Sequence, residues 1–152
     1  MEGHNILHKE LIFIDEPTAT KKEIIQRITD KVYDLGYVRD KAGFMDSVLA
    51  REEEVPTAIG YSIAIPHGKS DVVDKPFIAF LRTKAPFEWT TGHEETVQLI
   101  FLIGVPNIGT EKLHLRFISQ VSKKLLDEEF RQQLLTICNK TILFELLSSI
   151  DI

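Results

Sequence analysis

The stretch Val97–Ile103, VQLIFLI, is apolar at every position except Gln98, and Gly104 follows it. A short run of this length, rich in β-branched and aromatic residues, predicts a β-strand. Since it shows no alternation of polar and apolar residues, both of its faces are expected to be covered. Further strands are predicted at Leu11–Ile14, Ser62–Ile65 and Phe77–Thr83. Val97–Ile103 is therefore interpreted as an inner strand of a sheet with a layer on each side.

Segments with helical spacing of apolar residues surround these strands. Thr20 and Glu23 form a capping-box pattern at the start of the first helix, and Gly36 is well placed to end it. The N-cap residues predicted for the other helices are Asp40, Thr110, Asp127 and Asn139. Strands and helices in this arrangement predict an α/β fold, with a mixed central β-sheet flanked by helices on both faces. We expect a single domain over residues 1–152, with a core from about residue 6 to 150.

Composition excludes several classes of protein. The 152 residues carry a net charge of -5, which argues against a nucleic-acid-binding protein. The single cysteine cannot form an internal disulfide, as is typical of a reducing compartment. The N-terminus lacks the pattern of a secretory signal, and no apolar run approaches the roughly 18–20 residues that span a bilayer. We therefore expect a cytoplasmic protein without direct membrane insertion.

The segment of residues 63–68, IAIPHG, is the first candidate for chemistry. Pro66 holds Ile65 extended, so His67 is expected at the end of a buried strand, where α/β domains commonly bind ligands. Gly68 allows another molecule to approach the main chain closely. With no cysteine or acidic residue at metal-ligand spacing, His67 suits nucleophilic or acid–base chemistry. The alternative is a turn histidine without a chemical role.

Arg51 and His114 are two further candidates. Arg51 lies at the predicted end of the second helix, before three glutamates, and it either pairs with them or binds an anion bidentately. His114 lies in the first turn of the helix predicted after Thr110. It is either a half-buried histidine bonded to a neighbour or a neutral imidazole beside an anion at the helix N-terminus. Cys138 is predicted to pack among apolar residues. Nucleotide, dinucleotide and zincin motifs are absent, so no cofactor and no metal are predicted.

Arg51-Glu52, followed by residues 56–68, PTAIGYSIAIPHG, resembles a known family. The family is the fructose/mannitol-type enzyme IIA of the bacterial phosphoenolpyruvate-dependent sugar phosphotransferase system, which typically reads R-E … S-T-G-I-G-x-G-I-A-I-P-H-G. Leu113–Leu115, LHL, resembles its second histidine region. The resemblance extends over nearly the whole chain. Two departures are Pro56-Thr57-Ala58 in place of Ser-Thr-Gly and Ser62 in place of Gly.

The resemblance implies a phosphotransferase with a phosphohistidine intermediate at His67. His67 would accept a phosphoryl group from the phosphohistidine of the carrier protein HPr and pass it to a IIB component. A membrane IIC component downstream would couple this transfer to sugar uptake. Arg51 would stabilise the phosphoryl oxygens and His114 would lie beside the reacting ring. This role requires neither a metal nor a nucleotide.

The same resemblance places Thr57, Gly60 and Gly68 in the segment that binds the phosphoryl group. The sequence leaves open the sugar and the ring nitrogen that is phosphorylated. Docking onto two partners in turn predicts a shallow apolar surface. Ile59, Tyr61 and Ile63 are expected to form part of that surface.

Two alternatives remain open at this stage. The first is a regulatory, nitrogen-type enzyme IIA that signals through its phosphorylation state. The second is a non-catalytic binding module in which His67 and His114 ligate a metal or a small anion. No third ligand lies at a suitable spacing, which disfavours the second alternative.

Overall fold

The computed structural model describes residues 6–107 and 112–150, which form one strand, two helices, five further strands and three final helices in chain order. The strands are β1 (Leu7–Glu16), β2 (Ala58–Gly60), β3 (Ile63–Ala64), β4 (His67–Lys69), β5 (Phe77–Glu88) and β6 (Thr96–Val105). The helices are α1 (Lys21–Asp34), α2 (Lys41–Glu54), α3 (Leu113–Lys124), α4 (Glu128–Thr136) and α5 (Lys140–Ser148).

The strands form one mixed sheet in the order β1-β5-β6-β3-β2, and β4 also pairs with β6. Strand β6 is antiparallel to β5 on one side and parallel to β3 and β4 on the other. Strand β1 is parallel to β5, and β2 is antiparallel to β3. The apolar stretch from which the fold was predicted is therefore an inner strand, as expected.

Successive side chains of β6 belong to two different cores. Phe101 and Ile103 pack in the core cluster that contains the apolar residues of α3, α4 and α5. Ile100 and Leu102 pack in the cluster that contains those of α1 and α2. Because side chains of a strand alternate between the two faces of a sheet, helices cover both faces. The predicted α/β class is confirmed.

Most of the predicted helix starts are confirmed. The capping box of Thr20 and Glu23 is present, and the side chains of Asp40, Asp127 and Asn139 each accept a backbone N–H of the first turn. Helix α3 differs, since it begins two residues later than a cap at Thr110 would give. Its N-cap position is Lys112, which makes no side-chain cap hydrogen bond. Thr110 itself lies outside the described residues.

The strands differ more from expectation than the helices do. Strands β1 and β5 are longer than predicted, and the three-residue strands β2 and β4 were not predicted. A segment of three residues is too short to show a hydrophobic period, and only its non-local partners make it a strand. The strand predicted at Ser62–Ile65 is reduced to β3.

Residues Tyr61 and Ser62 form the two-residue turn between β2 and β3. Both have positive φ, 55° and 65° respectively, as the central residues of a type I′ hairpin turn require. Glycine adopts this conformation without a steric cost, whereas a residue with a Cβ is strained in it. This gives a physical reason for the Gly that the enzyme IIA pattern has at the position of Ser62.

The substitution Ser62→Gly is expected to raise the free energy of unfolding by about 0.5–1 kcal/mol, because it removes this strain. Urea denaturation measures the change. The matched control is Ser119→Gly, at an exposed position inside α3. There the same substitution is expected to lower stability by about 0.5–1 kcal/mol. A loss of stability in Ser62→Gly would contradict the strain at this turn.

Candidate functional site

His67 is the first residue of β4 and lies beside Ile103 of β6. Neighbouring residues of adjacent strands point to the same face, so the ring lies on the face that α3 covers. Only 8% of His67 is exposed. His67 was predicted at the end of the Ser62–Ile65 strand, but that strand ends at Ala64 and His67 begins β4 instead. Ile65 and Pro66 separate β3 from β4, and both strands pair with β6.

The hydrogen bonding of the ring fixes its tautomer. Nδ1 of His67 lies 3.1 Å from the carbonyl oxygen of Ile65. A carbonyl oxygen only accepts, so Nδ1 carries the proton and donates it. In the neutral ring, Nε2 then holds the lone pair.

Burial lowers the pKa of His67 below its ordinary value. The positive charge of Arg51 acts in the same direction, whereas the hydrogen bond to Ile65 and the charges of Glu52 and Glu54 oppose the shift. A lowered pKa keeps the imidazole neutral near pH 7. The ring is therefore in the form that can attack an electrophile.

The pKa of His67 predicts how stability depends on pH. In the unfolded chain the imidazole takes up a proton near its ordinary pKa of about 6.5, while the folded ring remains neutral. The unfolded state thus binds more protons, and stability falls as pH drops from about 7 through the lowered folded pKa. We expect the wild-type protein to lose more unfolding free energy over this interval than His67→Gln. Urea denaturation at several pH values measures the difference, and parallel curves would contradict it.

Arg51 lies in the last turn of α2. Its Nη1 donates to the carbonyl oxygen of Val55 at 2.8 Å. In the part of the chain that the structure describes, no ion pair includes Arg51, and Glu52 pairs with Lys21 instead. The charge-pair alternative is therefore not what the structure shows, and the Arg51 charge acts on His67.

Glu52, which was not predicted as a site residue, is a buried carboxylate with 4% of its surface exposed. Its Oε1 accepts from Nε1 of Trp89 at 3.0 Å and from the backbone N–H of Thr57 at 3.3 Å, and it lies 2.9 Å from Nζ of Lys21. Its Oε2 accepts from the hydroxyl of Thr57. Removing one partner of such a buried pair costs about 3–5 kcal/mol.

A signal for Glu52 is nevertheless present in the sequence. Phe44, Val48 and Glu52 are spaced four residues apart, so they share one face of a helix. The first two are buried. The same spacing predicts that Glu52 continues the buried face, whereas Glu53 and Glu54 do not, and both are exposed.

The other predicted binding residues, Thr57, Gly60 and Gly68, shape the backbone and the packing around the site. Thr57 is buried and its hydroxyl donates to Glu52. Gly60 has a φ of +95° and precedes the hairpin turn. A Cβ at Gly68 would lie 2.8 Å from Cγ2 of Val48, so this glycine allows α2 to pack against β4.

His114 is the second residue of α3, so it lies in the first turn as predicted. Its side chain lies outside the described part of the structure. The role predicted for the His114 ring therefore stays a prediction.

Two of the three residues predicted for the apolar surface are exposed. Tyr61 is 55% exposed and Ile59 is 39% exposed, whereas Ile63 is fully buried. The prediction for Ile63 is wrong, because this residue lies in β3 and its side chain packs in the core beneath α3. Val55 and Leu115 are two further exposed apolar residues. The guanidinium of Arg131 lies 4.6 Å from the Tyr61 ring centroid and connects the turn to α4.

Cys138 and Trp89 have the opposite exposure to each other. Cys138 is exposed, so the prediction that it packs among apolar residues is wrong. Its place after the C-terminus of α4 puts it at a junction on the surface. Trp89 is 2% exposed and belongs to the core beneath α1 and α2.

Residues 6–107 and 112–150 contain neither a candidate metal cluster nor a candidate membrane-spanning helix. These residues contain no group of three or more His, Cys, Asp or Glu side chains that could hold a metal ion. None of the helices formed by these residues is both long and apolar enough to span a bilayer.

Comparison with known proteins gives consistent matches along the chain. Residues 5–150 match the family model described as "Phosphoenolpyruvate-dependent sugar phosphotransferase system, EIIA 2". The PTS system fructose-specific EIIA component of Haloferax volcanii is 36% identical over 141 residues, covering 93% of this chain and 91% of that protein. Some curated relatives are much longer proteins, and the chain covers 22% and 24% of two of them.

Solved structures share the whole fold. The nitrogen regulatory protein IIA-Ntr of Neisseria meningitidis has a TM-score of 0.84 at 25% identity, covering 97% of this chain and 99% of that one. Enzyme IIAMTL of Escherichia coli, in a complex with phosphorylated enzyme IIBMTL, has a TM-score of 0.79 at 26% identity. The alignment covers 94% of this chain and 99% of that one.

Proposed function

The chain belongs to the EIIA 2 family of the phosphoenolpyruvate-dependent sugar phosphotransferase system, and on this premise we propose that it carries a phosphoryl group on Nε2 of His67. The donor is the phosphohistidine of HPr, and the acceptor is a cysteine or histidine of a IIB component. A membrane IIC component would then couple the transfer to sugar uptake. We also propose that this single domain acts in the cytoplasm.

The observation that carries this proposal is the hydrogen bond from Nδ1 of His67 to the carbonyl oxygen of Ile65. It leaves the lone pair on Nε2, which attacks the phosphorus atom of the donor. The bond from phosphorus to Nε2 forms while the bond from phosphorus to the donor nitrogen breaks, and the donor ring keeps that electron pair. Nδ1–H remains bonded to Ile65 throughout.

Arg51 supplies the positive charge that phosphoryl transfer requires. The transferring group carries its charge on three equatorial oxygens, so positioning and electrostatic stabilisation supply most of the catalysis. One N–H of Arg51 donates to Val55, and the guanidinium has four more. These match phosphoryl oxygens in geometry and charge.

The exposed apolar residues on the segment that precedes His67 support a docking role. Val55, Ile59 and Tyr61 lie between α2 and β3, and Leu115 follows His114 in α3. We propose that HPr and the IIB component dock on this surface in turn. The Escherichia coli relative in its complex with phosphorylated enzyme IIBMTL supports a IIB component as one partner.

A regulatory role is the second candidate, favoured by the similarity to the nitrogen regulatory protein of Neisseria meningitidis. The chemistry at His67 would be the same and the partner would differ. Adding a IIB component to the labelled protein separates the two. Rapid loss of label to IIB supports transport, and label that stays on the chain supports regulation.

Labelled phosphoenolpyruvate, enzyme I and HPr test the proposed chemistry directly. We expect about one phosphoryl group per chain, labile in acid and stable in base as a phosphohistidine is. Two-dimensional NMR of the imidazole nitrogens should show phosphorus coupled to Nε2. A chain that takes no label would overturn the proposal, and a coupling to Nδ1 would overturn the assignment of the nitrogen.

His114 is proposed to stabilise the phosphoryl group next to His67. The variant His114→Ala is expected to accept label but to transfer it to IIB about tenfold more slowly, because it lacks that neighbouring ring. Rapid-quench measurement of label loss checks this. Wild-type transfer by His114→Ala would remove the role.

A further inference from the structure

Glu52 is a buried charged group that phosphoryl transfer, as described above, does not use. Its carboxylate accepts or pairs with four donors, which come from α1, from the segment after α2 and from the segment that joins β5 to β6. Thr57 supplies two of them, its backbone N–H and its hydroxyl. Trp89 and Lys21 supply the other two. The carboxylate is thus fully used in holding other groups in place.

The position of Glu52 is not explained by the stability of α2 itself. It lies in the last turn of that helix, where a negative charge opposes the helix dipole. Burial penalises the charge further. The contacts that compensate for the burial of Glu52 therefore come from outside α2, and those with Thr57 connect Glu52 to His67.

A line of hydrogen bonds connects Glu52 to the reacting ring. The carbonyl oxygen of Thr57 accepts from the backbone N–H of Ile65 at 3.1 Å. The carbonyl oxygen of Ile65 in turn accepts from Nδ1 of His67 at 3.1 Å. Glu52 holds Thr57 through its backbone N–H and its hydroxyl. This in turn positions the carbonyl oxygen of Ile65, which orients the imidazole.

We propose that Glu52 is a positioning residue for His67, acting through Thr57 and Ile65 to hold the ring in the Nδ1–H tautomer. The consequence for transfer rests on the proposed function. The consequence for the tautomer does not, and it can be measured on the unphosphorylated protein. Nothing in this proposal requires Glu52 to touch the phosphoryl group.

The same carboxylate offers a matched pair of variants. Thr57→Val removes the hydroxyl donor on the line to His67 and keeps the side-chain volume nearly constant. Trp89→Phe removes an indole donor to the same carboxylate that is not on that line. If Glu52 only stabilises the fold, both variants lower stability and neither changes the ring.

The experiment measures the His67 tautomer by ring nitrogen NMR at about pH 8, where the imidazole is neutral. Single-turnover transfer from phospho-HPr is measured in parallel. Thr57→Val is expected to increase the Nε2–H fraction and to slow transfer about tenfold, since small misplacements of reacting groups cost rate. Thr57→Ser, which restores the hydroxyl, is expected to recover most of the lost rate. Trp89→Phe is expected to keep both the tautomer and a rate within twofold of wild type.

The inference is overturned by a wild-type tautomer in Thr57→Val, or by an equal change in Trp89→Phe. If Thr57→Val does not fold, Glu52→Gln replaces it, because its amide forces the Thr57 hydroxyl to become an acceptor. It must change the tautomer in the same direction, and an unchanged ring would overturn the inference. Absence of label on His67 in the wild-type chain is a separate result, which would overturn the proposed function and not the positioning of the ring.

Discussion

The variant His67→Gln is expected to take up no label from phospho-HPr, a loss of at least 1,000-fold, while it remains folded. The amide of glutamine can still donate to the carbonyl oxygen of Ile65, so the position is not left as an unsatisfied polar site. It has no nitrogen lone pair that can form a bond to phosphorus. The loss therefore belongs to the nucleophile and not to the fold.

The control for this variant is His93→Gln. His93 is exposed in the connection between β5 and β6, and its backbone N–H is bonded to Thr90. It is expected to take up label at the wild-type rate. Circular dichroism and urea denaturation of both variants establish that they are folded. Label on His67→Gln would show that another residue is the acceptor, and His67 would then lose its proposed role.

The architecture could be predicted because its signals are local. The capping box of Thr20 and Glu23 and the cap at Asp40 involve residues three apart, and both are confirmed. The inner strand was predicted correctly because seven consecutive residues carry its pattern. In contrast, β4 is a strand only because β6 lies beside it, and no window of three residues could show this.

The site was predictable in its residue types more than in its geometry. The motif that contains His67 and Arg51 indicated both side chains, while the burial of His67 depends on the β4–β6 pairing. Ile63 shows the same limitation, since an apolar residue near the site can be a docking residue or part of the core. Only its place in β3 decides this. Glu52 could have been found, because its spacing from Phe44 and Val48 is helical.

The variant Arg51→Ala is expected to slow transfer from saturating phospho-HPr about 100-fold, which corresponds to about 2.7 kcal/mol of transition-state stabilisation. The transferring group carries negative charge on its equatorial oxygens. Without the guanidinium, less positive charge stabilises it. Arg51→Lys is expected to be intermediate, because an ammonium restores the charge but cannot bind two oxygens in parallel. Rapid-quench kinetics measures both variants.

Stability separates this effect from unfolding. The Arg51 side chain loses one hydrogen bond to Val55, so the free energy of unfolding should fall by only about 1 kcal/mol. Arg39→Ala is the matched control, since Arg39 bonds to the carboxylate of Asp74 and to the carbonyl oxygen of Asp71, and it should transfer at the wild-type rate. A wild-type rate in Arg51→Ala would contradict the role of Arg51, and the charge of the transferring group would then be stabilised by His114 and the donor protein. In that case the positive charge of Arg51 would affect only the pKa of His67. That pKa should rise in Arg51→Ala, because a neighbouring positive charge has been removed.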